Sequence, residues 1–134
     1  MLGRKEQVSS RNRTSQKLIL LVEDDAINAA CIAQIISQET PYHVFQTSDS
    51  VRALEVIKHL KPDLFLFDYR LHNMNGIELY DRLQTSPECA NVPVILLTTN
   101  LDKRLEEIEE RNMVGLSKPV DLDDLLNTIE KALI

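Results

Sequence analysis

Short, unbroken apolar runs alternate with longer segments of helical periodicity, and this alternation constrains the fold more than any other feature of the chain. The clearest runs are residues 18–22, 64–67 and 92–97. Strands without polar alternation are buried on both faces, as they are in parallel sheets covered by helices. Two weaker strand segments, 42–47 and 113–117, complete a series of five strands, and a helical segment follows each of them.

The strict alternation of strand and helix predicts the topology. Parallel strands joined by helical crossovers form one sheet with helices on both faces. Five strands are too few for a closed eight-stranded barrel, and the sequence contains no internal repeat. We therefore predict an α/β fold, a (βα)5 doubly wound parallel sheet with strand order 2-1-3-4-5.

Two finer expectations concern the helices. The second helix should carry Ala53, Leu54, Ile57 and Leu60 on its inner face and end at Lys61–Pro62. On the charged fourth helix, Glu107 and Arg111 have the i,i+4 spacing of a favourable ion pair.

The charge distribution separates the first residues from the rest. The net charge is -6, yet residues 1–17 contain five basic residues and one acid. We predict a flexible basic tail at residues 1–16 and a single domain at 17–134. An acidic domain is a poor surface for nucleic acid, because phosphate contacts need Lys and Arg.

Hydropathy and cysteine usage bear on the cellular compartment. No apolar run approaches the roughly 20 residues needed to span a bilayer. Cys31 and Cys89 are isolated, without metal-ligand spacing. We therefore expect no membrane insertion, no disulfide and a reducing, cytoplasmic location.

Polar residues follow the predicted strands at the edge where ligands of open parallel sheets bind. They are Glu23, Asp24 and Asp25 after the first strand, Asp68 after the third, Thr98 after the fourth and Lys118 after the fifth. Each has a simpler explanation, such as a helix cap, a complement to a helix dipole or an exposed loop. Their occurrence at four strand ends of one sheet favours a common site.

The residue types indicate metal-assisted phosphoryl chemistry. Converging carboxylates raise one another's pKa, and a hard cation such as Mg²⁺ relieves their repulsion. Asp68 would then stay ionised and attack an electrophilic phosphorus. Lys118 and the Thr98 hydroxyl would hold the oxygens of the incoming phosphoryl group.

From about residue 17 to 134 the sequence resembles the response-regulator receiver domains of two-component signalling. The matching segments are Leu-Leu-Val-Glu-Asp-Asp at 20–25, Phe-Asp-Tyr-Arg-Leu-His-Asn-Met-Asn-Gly at 67–76, Pro-Val-Ile-Leu-Leu-Thr at 93–98 and Ser-Lys-Pro at 117–119. The resemblance implies a flavodoxin-like three-layer sandwich and a stand-alone receiver of the chemotaxis-regulator type.

The resemblance also assigns roles to residues. It implies that Asp68 accepts a phosphoryl group from a histidine kinase or phosphotransfer protein. The implied ligands of Mg²⁺ or Mn²⁺ are Glu23, Asp24, Asp68 and the main-chain carbonyl of Arg70, and Asp25 falls just past the acidic pair. Thr98 and Lys118 would contact the phosphoryl group, and the Lys118–Pro119 peptide would be cis. Such a receiver catalyses its own phosphorylation and dephosphorylation and is not a metabolic enzyme.

The signal would leave through protein contacts. No output-domain sequence follows Ile134, so we expect a downstream partner protein or a homodimer. The last helix and its neighbouring elements are the expected docking surface. Neither nucleic acid nor membrane is an expected partner.

Departures from the family pattern leave alternatives open. Gly115 stands three residues before Lys118, where receivers commonly carry the Tyr or Phe that moves inward with the threonine. A degenerate receiver that acts as a phosphorylation-independent interaction module is therefore a second hypothesis. The positions expected to modulate the site are Arg70, Thr99, Asn100 and Gly115.

Two other classes fit less well. A phosphatase with an aspartate nucleophile generally has a second Asp two residues later, and here that residue is Arg70. A flavin-binding domain would need a Ser/Thr/Gly-rich loop after the first strand, where this chain has acids.

Overall fold

The computed structural model describes residues 16–134 as one parallel sheet with helices on both faces. The strands are β1 (Leu18–Val22), β2 (His43–Thr47), β3 (Leu64–Asp68), β4 (Val94–Thr98) and β5 (Met113–Ser117). The helices are α1 (Ala26–Glu39), α2 (Ser50–Val56), α3 (Gly76–Leu83), α4 (Leu101–Glu110) and α5 (Leu122–Leu133). The strand order β2-β1-β3-β4-β5 confirms the predicted topology.

The predicted basic tail, residues 1–16, lies outside the described residues except for Gln16. The tail and its boundary with the domain therefore stay predictions. Among residues 16–134, every helix is too short or too polar to cross a membrane.

Strand β3 lies at the centre of two hydrophobic cores. Phe65 and Phe67 pack in the core formed with α2, α3 and α4, whereas Leu64 and Leu66 pack in the core formed with α1 and α5. Successive side chains of a strand point to opposite faces, so an apolar run without polar interruption fits a strand covered on both sides. All four side chains are fully buried, and each such burial stabilises the fold by about 1.5–3 kcal/mol.

The parallel register aligns the carboxyl ends of the central strands. Val22 pairs with Phe67, Asp68 with Leu97, and Thr98 with Ser117. The residues that end or follow β1, β3, β4 and β5 therefore meet at one edge of the sheet.

Helix α2 is shorter than expected, because the predicted extension to Lys61–Pro62 was wrong. The helix ends at Val56, and the chain continues in tight turns in which the Lys58 N–H donates to the Glu55 carbonyl and the His59 N–H to the Val56 carbonyl. Bonds from a residue to the third one before it tighten the chain and replace the last helical turn.

The expected pairing of Glu107 with Arg111 was also wrong. The Arg111 guanidinium binds both carboxylate oxygens of Asp81 on α3, at 2.8 and 2.9 Å, and donates to the main-chain carbonyl of Glu107. The Glu107 carboxylate instead accepts from Arg104 at 2.9 Å. A two-oxygen contact with Asp81 is stronger than a single contact along the helix surface.

Candidate functional site

A cavity of about 290 Å³ opens at the carboxyl edge of the sheet. The residues that line it are Glu23, Asp24, Asp25, Asn28, Asp68, Tyr69, Arg70, Thr98, Thr99, Asn100, Arg104 and Lys118. The set includes every residue predicted for the site from the sequence except Gly115. The four strand ends thus form one concave surface.

Three carboxylates form the acidic part of the cavity. One oxygen of each of Glu23, Asp24 and Asp68 lies within 4.8 Å of the others. Glu23 and Asp68 are buried, with 2% and 6% of their surface exposed, whereas Asp24 is exposed. Burial of acids so close together is costly unless a cation compensates their charge.

The unfavourable burial of Glu23 raises its pKa. Burial raises the pKa of Glu23 to about 7, the nearby Asp68 carboxylate contributes in the same direction, and a hydrogen bond from the Asp25 N–H and the charge of Lys118 oppose the rise. The mutual repulsion expected from the sequence is therefore present, but burial of Glu23 is the larger cause.

The ammonium group of Lys118 contacts two of these three carboxylates. Its Nζ lies 3.2 Å from Asp68 Oδ1 and 3.4 Å from Glu23 Oε1. Burial lowers the pKa of the Lys118 ammonium, but the two carboxylates outweigh this effect and the pKa is raised. The peptide bond between Lys118 and Pro119 is cis, as the family resemblance implied.

The acidic cluster fits a hard divalent cation. Three carboxylates face one ammonium, so the cluster retains negative charge, and oxygen is the ligand that Mg²⁺ prefers.

Asp25 also lines the cavity, but its carboxylate caps α1 by accepting the N–H groups of Ile27 and Asn28. A cap of this kind stabilises a helix by about 1 kcal/mol, so Asp25 has a structural task of its own.

Thr98 joins the cavity to helix α4. Its side chain is buried, and its Oγ1 accepts the N–H of Asn100 at 3.1 Å. Asn100 precedes the first residue of α4 and provides no side-chain cap. The Thr98 hydroxyl therefore satisfies a main-chain donor at the start of this helix. Thr99 is exposed at the rim of the cavity.

Gly115 lies away from the cavity, in β5 opposite Leu96. A Cβ atom at Gly115 would lie 2.6 Å from Leu101 Cδ1 and 2.8 Å from Ile108 Cδ1. Both side chains belong to α4. The helix thus packs directly on the position where the family resemblance led us to expect an aromatic side chain.

Arg104, like Asn28, lines the cavity but was not predicted from the sequence. Its Cζ lies 4.5 Å from the centroid of the Tyr69 ring, and its Nη1 lies 2.9 Å from Glu107 Oε1. The sequence predicted a charged helix here and an ion pair between Glu107 and Arg111, with no role for Arg104. The only available signal was the i,i+3,i+7 spacing of Leu101, Arg104 and Ile108, which places Arg104 on the inner face.

Comparisons with known proteins point to one family. The family model described as response regulator receiver domain matches residues 19–130. Sporulation initiation phosphotransferase F of Bacillus subtilis (strain 168) is 28% identical over 116 residues, which cover 85% of this chain and 92% of that protein. The polar-differentiation response regulator DivK of Brucella anthropi is 29% identical over 119 residues, which cover 87% and 96%.

A solved structure extends the comparison to the fold. The receiver domain of sensor histidine kinase PA1611 from Pseudomonas aeruginosa PAO1 is 25% identical with a TM-score of 0.79, and the match covers 88% of this chain and 98% of that one. That structure has a magnesium ion coordinated in its active-site cleft.

Proposed function

Because the chain belongs to the response regulator receiver domain family, we propose that Asp68 is its phosphoacceptor in phosphorelay signalling. The observation that carries this proposal is the position of Asp68. It is buried at the end of the central strand β3, it clusters with Glu23 and Asp24, and it lies 3.2 Å from the Lys118 ammonium.

The donor is a phosphohistidine of a histidine kinase or phosphotransfer protein. A carboxylate oxygen of Asp68 bonds to phosphorus while the bond between phosphorus and the histidine nitrogen breaks, and the nitrogen keeps the electron pair. The product is an acyl phosphate. When water attacks that phosphorus, the bond to the Asp68 oxygen breaks and the carboxylate and inorganic phosphate are released. The chain therefore promotes its own modification and is not a metabolic enzyme.

Lys118 and Thr98 hold the phosphoryl oxygens. The Lys118 ammonium already donates to Asp68 and Glu23 and has one further N–H donor for an added oxygen. The Thr98 oxygen accepts the Asn100 N–H, which leaves its own O–H free to donate to a phosphoryl oxygen. Groups positioned in this way stabilise the charge of a transferring phosphoryl group.

The cation-binding groups are Glu23, Asp24, Asp68 and the main-chain carbonyl of Arg70, with Mg²⁺ or Mn²⁺ as the ion. When bound, the ion neutralises charge between the carboxylates and the incoming phosphoryl oxygens. The magnesium ion of the PA1611 receiver domain, a structural relative, supports this assignment.

The phosphorylated chain would act on a downstream protein or on a second copy of itself. Exposed apolar side chains on α5 and its neighbours support a contact surface there, namely Leu105, Val114 and Leu122.

Cys31 and Cys89 are free thiols, which fits the cytoplasm that we propose as the compartment.

Transfer from a small phosphodonor tests the proposal. Incubation of the chain with Mg²⁺ and acetyl phosphate should add the mass of one phosphoryl group, measured on the intact protein. D68N should gain none. Absence of any gain on the native chain, or an equal gain on D68N, would refute the proposal.

The packing at Gly115 favours a second candidate, a receiver that binds its partner independently of phosphorylation. Residue 115 is glycine, so an inward-moving aromatic is missing there, and Leu101 and Ile108 fill the space beside it. The oligomeric state with and without Mg²⁺ and beryllofluoride, a phosphoryl mimic, separates the two candidates. A clear change upon adding the mimic would reject the second.

A further inference from the structure

We propose that Arg104 is a third phosphoryl-binding residue of this site, acting from α4 in addition to Thr98 and Lys118. The inference rests on the proposed function, because it requires a phosphoryl group on Asp68. Arg104 lines the same cavity as Asp68, Thr98 and Lys118. Its helix is also the one that Thr98 contacts through Asn100.

Tyr69 holds the Arg104 side chain beside the phosphoacceptor. Tyr69 follows Asp68 directly, and the Arg104 Cζ lies 4.5 Å from the centroid of its ring. The Tyr69 N–H donates to the Leu97 carbonyl, and its hydroxyl accepts from Asn75 Nδ2 at 3.3 Å. The first bond fixes the main chain at Tyr69 and the second holds the far end of its side chain, so the ring gives the guanidinium a defined position, since cations are attracted to aromatic faces.

The guanidinium has unused hydrogen-bonding capacity. Its Nη1 binds Glu107, but its Nε is buried and lacks a hydrogen-bond partner among residues 16–134. A buried donor without an acceptor costs free energy, which a new acceptor in the cavity would recover. The planar guanidinium fork matches two oxygens of a phosphoryl group, so Arg104 suits this acceptor better than a lysine would.

Gly115 lets the helix that carries Arg104 pack closely on β5. The side chains of Leu101 and Ile108 occupy the position that a side chain at residue 115 would take. Arg104 lies between them on the same face of α4. A larger residue at 115 would displace both apolar side chains and with them the face that presents Arg104. Gly115, which departs from the family pattern, therefore helps to determine the position of Arg104 in the cavity.

A purely structural role for Arg104 makes a different prediction. If Arg104 only linked Tyr69 and Glu107, its replacement would lower the stability of the fold and leave the affinity for a phosphoryl mimic unchanged. The deciding readout is therefore the affinity for beryllofluoride in saturating Mg²⁺, measured by calorimetry at a temperature where each variant is folded.

The test compares R104M with K103M. Lys103 is exposed on the same helix outside the cavity, so K103M removes the same charge without the same contact. R104M should weaken beryllofluoride binding by about tenfold or more. K103M should change it by less than about twofold, since exposed charges are screened. Equal affinities of R104M and K103M would overturn the inference.

Two further measurements complete the design. Affinity for Mg²⁺ alone should not weaken in R104M, because the variant removes a cation rather than a metal ligand. Should R104M fail to fold, R104K decides: weaker beryllofluoride binding than the native chain supports a fork contact, and unchanged binding refutes it. If the native chain itself binds no beryllofluoride, the proposed function fails, a result distinct from failure of the Arg104 inference alone.

Discussion

The Lys118 ammonium lies 3.2 Å from the Asp68 carboxylate and joins the ends of β5 and β3 by an ion pair. Both side chains are largely shielded from water, with 21% and 8% of their surfaces exposed. Partial burial strengthens the attraction relative to a surface pair and makes the loss of either partner costly. The pair therefore sets how the site responds to a cation and to a phosphoryl group.

Replacing Lys118 by methionine should change the two affinities in opposite directions. K118M removes the cation that competes for Asp68 and Glu23, so Mg²⁺ should bind more tightly. Beryllofluoride should bind more weakly, because a donor to its fluorines is lost. Calorimetry of both ligands checks this, with K131M on the exposed surface of α5 as the control. Weakening of both affinities would contradict the assigned role of Lys118.

The raised pKa of Glu23 predicts a pH dependence of the metal-free protein. The folded chain binds more protons than the unfolded chain between the ordinary value of 4.5 and about 7. This group therefore stabilises the fold at low pH, and its contribution is lost as the pH rises through about 7.

Comparison with E23Q isolates this contribution from those of other groups. In EDTA, the free energy of unfolding of the native chain should fall relative to that of E23Q as the pH rises from about 5 to about 8. Urea denaturation at a series of pH values measures the difference. Parallel pH curves for the two proteins would show that Glu23 titrates normally.

The contact between Thr98 and Asn100 predicts a local effect at the start of α4. T98V removes the acceptor of the Asn100 N–H and should lower the free energy of unfolding by about 1 kcal/mol. Amide exchange at Asn100 should accelerate in T98V but not in T98S, which retains the hydroxyl. T98S should also retain beryllofluoride binding, whereas T98V should weaken it. Identical exchange rates in both variants would argue against the contact.

The close packing at Gly115 predicts a steric coupling with α4. G115F should lower the free energy of unfolding by about 1–3 kcal/mol, because its side chain overlaps Leu101 and Ile108. The L101A background opens space, so the cost of G115F should be smaller there. A double-mutant cycle by chemical denaturation measures this coupling. Additive effects of the two substitutions would contradict direct contact.

The sequence predicted the sheet and most of the site because both depend on local pattern. An apolar run such as 64–67 fits a strand that is buried on both faces of a parallel sheet. A residue directly after such a strand lies at the carboxyl edge of the sheet. Asp68 and Lys118 were therefore predicted at the same edge, where they lie 3.2 Å apart, and the predicted cluster of acids is present.

The errors and omissions concern side chains whose partners lie on other elements. Arg111 was paired along its own helix, but it binds Asp81 on α3. Arg104 was given no role from the sequence, but it packs over Tyr69 and lines the cavity. Long charged side chains have several possible partners, and tertiary packing selects among them. Helical spacing places Arg104 on the inner face of α4 but does not specify Tyr69 as its partner.

The central claim is that Asp68 becomes an acyl phosphate, and chemical trapping tests it most directly. Borohydride reduces an acyl phosphate to an alcohol and releases phosphate, which converts a modified aspartate to homoserine. Peptide mass spectrometry after treatment with acetyl phosphate, Mg²⁺ and borohydride should find homoserine at position 68, and omission of Mg²⁺ in EDTA should abolish it. Homoserine at another acid, or none in the native chain while phosphodonor and metal are present, would contradict the account.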